Sequence, residues 1–285
     1  MIVNADDFGY TRGVNAGIIR GFRDGIVTST TMMANGRAFD DAVEYAKENP
    51  KLGVGCHLML VDGVAVETPS AIPSLADREG NLPATVGSLA AKLLAGAVRR
   101  EDIARELRAQ ITKVLNAGIT PTHLDSHKHT HSHPKVMEQM VKVASEFGIH
   151  CIRKPFEGAG SLVKSAFADG WSSFRQSTKA LLARTAEPQF QKVARNHGMR
   201  MPEHFWGVAA TGHLNRESIL SMLESMPEGV NELMCHPGQC DDELKHSRTR
   251  LKREREVELE ALTHPEVRAA IERQGIKLMD YRGLN

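Results

Sequence analysis

Two adjacent acids, Asp6 and Asp7, close the short apolar run that opens the chain. Like charges that close raise one pKa, and desolvation raises both, so a divalent cation is an economical relief. One carboxylate could ligate while the other stays free to take a proton. Taken alone, an Asp pair ahead of Phe8-Gly9 suits a helix cap equally well. The second group is His123-Leu-Asp-Ser-His127, where the period of two in a strand puts His123, Asp125 and His127 on one face. Three ligand-capable side chains on one face are hard to explain as packing. His57, in Gly55-Cys-His-Leu58, reads by itself as an ordinary core imidazole, as do His150 and His213. His236, followed by Pro237-Gly238, sits on a tight turn where it could serve as a general acid or merely end a strand. Imidazoles with a carboxylate and open positions suit zinc, iron, cobalt, nickel or manganese, whereas magnesium favours oxygen.

Each of these residues falls at or just past the carboxyl end of an expected strand. Strands are expected over 1–7, 26–33, 52–60, 120–127, 149–153, 204–209, 230–236 and 276–280, separated by helices over 14–24, 38–48, 89–117 with a break near 99–102, and 134–147. Alternating strands and helices without a glycine-rich dinucleotide fingerprint predict an α/β fold. The expectation is a (β/α) barrel of seven or eight mostly parallel strands, with its site at the carboxyl ends. Residues 62–83, dotted with Pro and Gly, read as a long loop over one end. His129, His131 and His133 fall in the loop after the fourth strand, lining the cleft or facing solvent. The whole of 1–285 reads as one domain. Residues 157–202 break the rhythm, as a helical insertion or lid, and the alternating charges of 245–260 read as a solvated helix face.

Composition sets bounds. With 285 residues, 41% apolar and 25% charged residues and a formal net charge of +1, the chain has no general pull toward nucleic acid or anionic membrane. No apolar run is long enough to span a bilayer and no signal-peptide pattern is present, so a cytoplasmic protein is expected. The four cysteines, far too sparse for a disulfide scaffold, read as reduced thiols.

Asn4-Ala-Asp-Asp-Phe-Gly9, Gly55-Cys-His-Leu58, Pro121-Thr-His-Leu-Asp-Ser-His127 and Cys235-His-Pro-Gly238, in that order, resemble the YdjC family, which includes the ChbG chitooligosaccharide deacetylases and the HpnK hopanoid-associated enzymes. The resemblance implies a barrel-like carbohydrate deacetylase with a divalent metal, usually magnesium. Carried over residue by residue, it makes Asp7, His57 and His127 the metal ligands, Asp6 the general base and His236 the acid. Lys128 stands where the family often has the middle of three histidines, a position that strand alternation turns away from the metal. Features of both branches are present: 58–63 is closer to HpnK, Asn4 and 27–31 to ChbG. Some relatives pair, which leaves room for a homodimer.

These readings combine into a metal-dependent hydrolase of an N-acetylated sugar, its substrate a small molecule or oligosaccharide, with His123 and Asp125 orienting ligands or sugar hydroxyls. Another metal-dependent amidohydrolase or a phosphoesterase is the runner-up. A glycosidase would need acids facing each other across the sugar, which a consecutive pair does not supply. A protein that only binds sugar or metal would have no use for a free acid beside the ligands.

Overall fold

A computed structural model describes residues 1–158 and 184–284. Its core is a six-stranded sheet in which every pairing is parallel: β1 (Ile2–Phe8), β2 (Ser29–Met32), β3 (Gly53–Leu58), β4 (Leu124–Ser126), β5 (His204–Trp206) and β6 (Asn231–Cys235), in the order β4-β3-β2-β1-β6-β5. The fold is α/β and barrel-like, with six strands among the described residues rather than the seven or eight expected. Of the two missing strands, the fifth survives as single bridges, Leu124↔Ile152 and Cys151↔Arg200, which span part of the gap between the edges β4 and β5. Pro155 and Pro202, lacking a backbone donor, stand just beyond these bridges. The eighth, 276–280, forms no strand.

Helices pack on the outer face. α1 (Arg12–Arg23) starts where Thr11 accepts from the backbone N–H of Val14, and α2 (Phe39–Glu48) follows β2. The single helix foreseen over 89–117 is two, α3 (Val86–Leu94) and α4 (Arg100–Asn116), parted near the expected break. α5 (Pro134–Glu146) begins with proline at its first turn. Most of the expected insertion or lid falls on 159–183, outside the described residues. The helix Glu187–Asn196 that follows lays Phe190 against Phe156 and the ring of His131. No helix among the described residues is long and apolar enough to cross a membrane.

Register divides the sheet into two faces of opposite chemistry. Residues paired across parallel strands point the same way, so Val3, Ala5, Val54, Cys56, Leu124, Leu233 and Cys235 enter the apolar core beneath the helices. Their neighbours Asn4, Asp6, Thr31, His57, Asp125 and Glu232 alternate onto the inner face. All six are at most 3% exposed, so each must find a partner there.

Candidate active site

Alternation along β1 would send Asp6 and Asp7 to opposite faces. A register break between Ala5 and Phe8, with Asp7 in the left-handed region at φ 72°, removes that conflict and lets both carboxylates serve one mouth. The conformation costs a non-glycine residue about 1–2 kcal/mol, and Asp tolerates it better than most.

Asp7 Oδ1 lies 3.5 Å from His57 Nε2 and 3.3 Å from His127 Nδ1. The two rings are 5.5 Å apart and steeply inclined. Ligands about 2.1 Å from a tetrahedral ion stand roughly 3.4 Å from one another, so these spacings suit a shared cation. The other oxygen, Oδ2, accepts from Arg255 at 2.5 Å, leaving Oδ1 to face the imidazoles. His57 Nδ1 donates to Asp125 Oδ1 at 2.7 Å, which fixes the tautomer and aims Nε2 at the mouth. Thr31 donates to the second Asp125 oxygen at 3.1 Å. Burial alone would push the Asp7 carboxyl up, but Arg255 and the two imidazoles outweigh it and hold the group well below the usual carboxylate range. Burial would likewise lower His57; Asp125, Asp6 and Asp7 instead drive it up to about 9. The field that does so is one that attracts a cation. His57 and Asp7 side chains are 2% and 6% exposed and that of His127 16%, so access is from the His127 side.

Asp6 is gripped by a residue that the sequence reading did not single out. Arg153 NH1 and NH2 each donate to it at 2.7 Å, NH1 also donates to Asp125 Oδ2 at 2.6 Å, and Nε donates to Glu232 Oε1 at 2.8 Å. One fully buried guanidinium therefore serves three carboxylates. Asn4 Nδ2 adds a bond to Asp6 Oδ1 at 3.0 Å. Burial favours the neutral acid, yet the Arg153 charge prevails and holds Asp6 far below the ordinary carboxylate range. Arg153 ends the expected fifth strand, so the carboxyl-end criterion that picked the histidines applies to it as well.

His236 follows β6. Its backbone N–H donates to Glu258 at 2.5 Å, while its Nδ1 lies 4.0 Å from the same carboxylate and lacks a hydrogen-bond partner among the described residues. Burial pushes the imidazole down to about 4 despite the pull of Asp6 and Asp7, so it rests neutral. Burial raises Glu258 to about 7. Arg255 and Glu258 are each 1% exposed. The reading of 245–260 as a solvated helix face is corrected here: the helix is Glu254–Leu262, and it turns these two residues inward onto Asp7 and His236. Alternating charges at helical spacing hid them.

The remaining histidines separate. His123 shares the inner face with Asp125 but lies deeper, its ring stacked on Tyr281 at 3.5 Å, and is not part of the Asp7 cluster. His131 is structural. Its N–H and the Thr130 hydroxyl both donate to Ser126 Oγ, whose own proton goes to His131 Nδ1 at 2.6 Å, while Nε2 points at the Arg153 carbonyl. His133 caps α5 through Nδ1. Lys128 and His129, both left-handed, form the turn after His127, and Lys128 reaches out to Asp62 at 2.6 Å.

A parallel barrel-like fold with acids and imidazoles gathered at the carboxyl ends of its strands defines an α/β protein with a hydrolase-like site. The chain belongs to the YdjC family: it matches the YdjC-like protein family over residues 1–273. It is 34% identical to a carbohydrate deacetylase of Brevibacillus brevis over 285 residues, covering 100% of this chain and 99% of the relative. A carbohydrate deacetylase of Geobacillus stearothermophilus is 34% identical over 282 residues, covering 99% and 96%. A crystal structure from Enterococcus faecalis V583, whose description proposes cellobiose-phosphate cleavage, aligns with a TM-score of 0.76 at 28% identity, over 99% of this chain and 97% of that one.

Proposed function

We propose that this chain is a divalent-metal-dependent carbohydrate deacetylase, hydrolysing the N-acetyl amide of an N-acetylglucosamine-containing sugar, a chitooligosaccharide or glycolipid, to amine and acetate. The observation that carries the reading is the convergence of Asp7 Oδ1, His57 Nε2 and His127 Nδ1, within 4.8 Å of one another, beside a second carboxylate with its own cation. Deacetylase relatives spanning the whole chain support it. The nitrogen-rich donor set suits zinc or a similar transition metal, and the family resemblance favours magnesium.

When bound by Asp7, His57 and His127, the ion supplies Lewis-acid activation of the amide carbonyl and of water. Asp6, oriented by Arg153, takes a proton from the attacking water as the new C–O bond forms, leaving a tetrahedral oxyanion. His236 then gives a proton to the amide nitrogen, the C–N bond breaks, and acetate and amine depart. Because His236 rests neutral, the proton it delivers is one gained during turnover, and Asp6 is its source.

The test follows acetate release from N-acetylglucosamine oligomers and glucosaminyl lipids, with bound metal measured in parallel. Asp6→Asn should lose activity and keep metal, whereas His57→Ala and His127→Ala should lose metal. Release of phosphate or reducing sugar instead of acetate would move the protein to a phosphoesterase or glycosidase class. Metal content unchanged in both histidine variants would remove the ligand assignment.

A further inference from the structure

The segment 277–284 closes the end of the barrel opposite the site. The Met1 ammonium donates to the Lys277 carbonyl at 2.5 Å, Met279 N–H to the Met1 carbonyl at 2.9 Å, and Arg200 to the Leu284 carbonyl at 2.7 Å. Out of this plug one large side chain, Tyr281, enters the barrel fully buried. Its ring lies flat on His123, and its hydroxyl donates to Glu232 Oε2 at 2.6 Å. The other Glu232 oxygen accepts from Arg153 Nε, and the fork of Arg153 holds Asp6.

We propose that Tyr281 is a positioning residue for the reaction, acting from the far end of the barrel through Glu232 and Arg153 on the orientation of Asp6. The reasoning is geometric. A guanidinium that faces Asp6, Asp125 and Glu232 has more than one way to distribute its donors, and only the arrangement with Nε on Glu232 points the NH1 and NH2 edge at Asp6. Glu232 is 0% exposed, and among the described residues its side chain accepts from two donors, Arg153 and Tyr281. Without the hydroxyl, one of its oxygens is buried with no partner, and the carboxylate must turn toward Arg153 or take up a proton. The first draws NH2 as well as Nε onto Glu232, the second weakens the bond at Nε, and either way the fork turns from Asp6. Phenylalanine would fill the same place against His123, so the hydroxyl serves the relay and the ring serves packing.

The catalytic part of this inference rests on the deacetylase reading, so two readouts are needed. In steady-state acetate release, Tyr281→Phe should lower kcat about tenfold, with KM and bound metal unchanged. On a Glu232→Gln background the same substitution should have no further effect, and Glu232→Gln alone should show the same loss. By NMR of the folded protein, the Arg153 Nε–H resonance, identified by its disappearance in Arg153→Lys, should exchange slowly in wild type and about tenfold faster in Tyr281→Phe. Unchanged kcat and unchanged Nε–H exchange in Tyr281→Phe overturn the inference, as does an equal loss on the Glu232→Gln background. If the wild-type protein releases no acetate, the deacetylase reading fails, and the Nε–H exchange still decides whether Tyr281 governs Arg153.

Discussion

Replacing Arg153 by methionine removes the one cation that, among the described residues, touches all three of Asp6, Asp125 and Glu232, while nearly preserving side-chain volume. All three carboxylates stay buried. Breaking a buried ion pair by deleting one partner costs about 3–5 kcal/mol, because an uncompensated charge is left in a low-dielectric interior. Three partners are orphaned here, but the loss does not triple. Burial already raises Glu232 to about 7, so it can escape by taking a proton near neutral pH, and His57 still faces Asp125. The cost falls mainly on Asp6, and about 4 kcal/mol is the expected total, a large share of the roughly 5–15 kcal/mol that holds an ordinary domain together. Urea unfolding followed by circular dichroism at pH 7 measures it, with an unchanged m-value showing that the denatured state is the same. Arg153→Lys separates charge from geometry: it keeps a cation but loses the two-pronged grip, so it should lose about half as much stability while kcat falls about 100-fold through misorientation of Asp6. A methionine variant within about 0.5 kcal/mol of wild type, the ordinary margin for surface changes, would refute the account of Arg153 as the hub. Wild-type kcat in the lysine variant would refute its role in aiming Asp6.

Asp125→Asn should weaken metal affinity about 10- to 100-fold, since it loosens the orientation of His57 without touching the ligand atoms; chelator competition measures this, and unchanged affinity would remove Asp125 from that role. His131 is pushed down to about 3 by burial and by Arg153, so the unfolded chain binds a proton there that the folded protein refuses. Its contribution is therefore intact above pH 6.5 and is lost as pH falls through the window from 6.5 to 3, by on the order of 5 kcal/mol; the pH dependence of Tm should flatten in His131→Gln, and an unchanged slope would contradict the assignment. A Cβ on Gly17 would come within 2.4 Å of the Gly238 backbone, in the turn that carries His236. Gly17→Ala should cost about 1–3 kcal/mol and lower kcat by displacing that turn; a variant with wild-type Tm and rate would show that the turn yields freely.

The inner face of the fourth strand is legible in the sequence because strand alternation is a local property. The acids near the end of β1, the turn after Cys235, and Asp125 with His123 and His127 on either side of the short β4 are each legible from a few neighbouring residues. What escaped depended on distance. Arg153 meets Asp6 across 147 residues of sequence, and Arg255 meets Asp7 across 248. No period in the chain announces such a pairing. Strand number failed for a different reason: apolar runs of suitable length were present over 149–153 and 276–280, but a run becomes a strand only by finding a continuous ladder. Pro155 stands just past the first, and the second is used to seal the barrel.

The two acids of the first motif show what local reading can and cannot supply. Their adjacency demanded positive charge, and the sequence reading answered with a metal alone. In the fold the demand is divided. Arg153 neutralises Asp6, Arg255 takes one oxygen of Asp7, and only Asp7 Oδ1 is left toward His57 and His127. That division distinguishes the carboxylates chemically. The carboxylate tied to the guanidinium is held in a fixed direction, while the one beside the imidazoles keeps a single oxygen, Oδ1, facing them. The left-handed backbone at Asp7 is what permits the separation, because an extended residue there would send one of the two acids into the apolar layer beneath the helices.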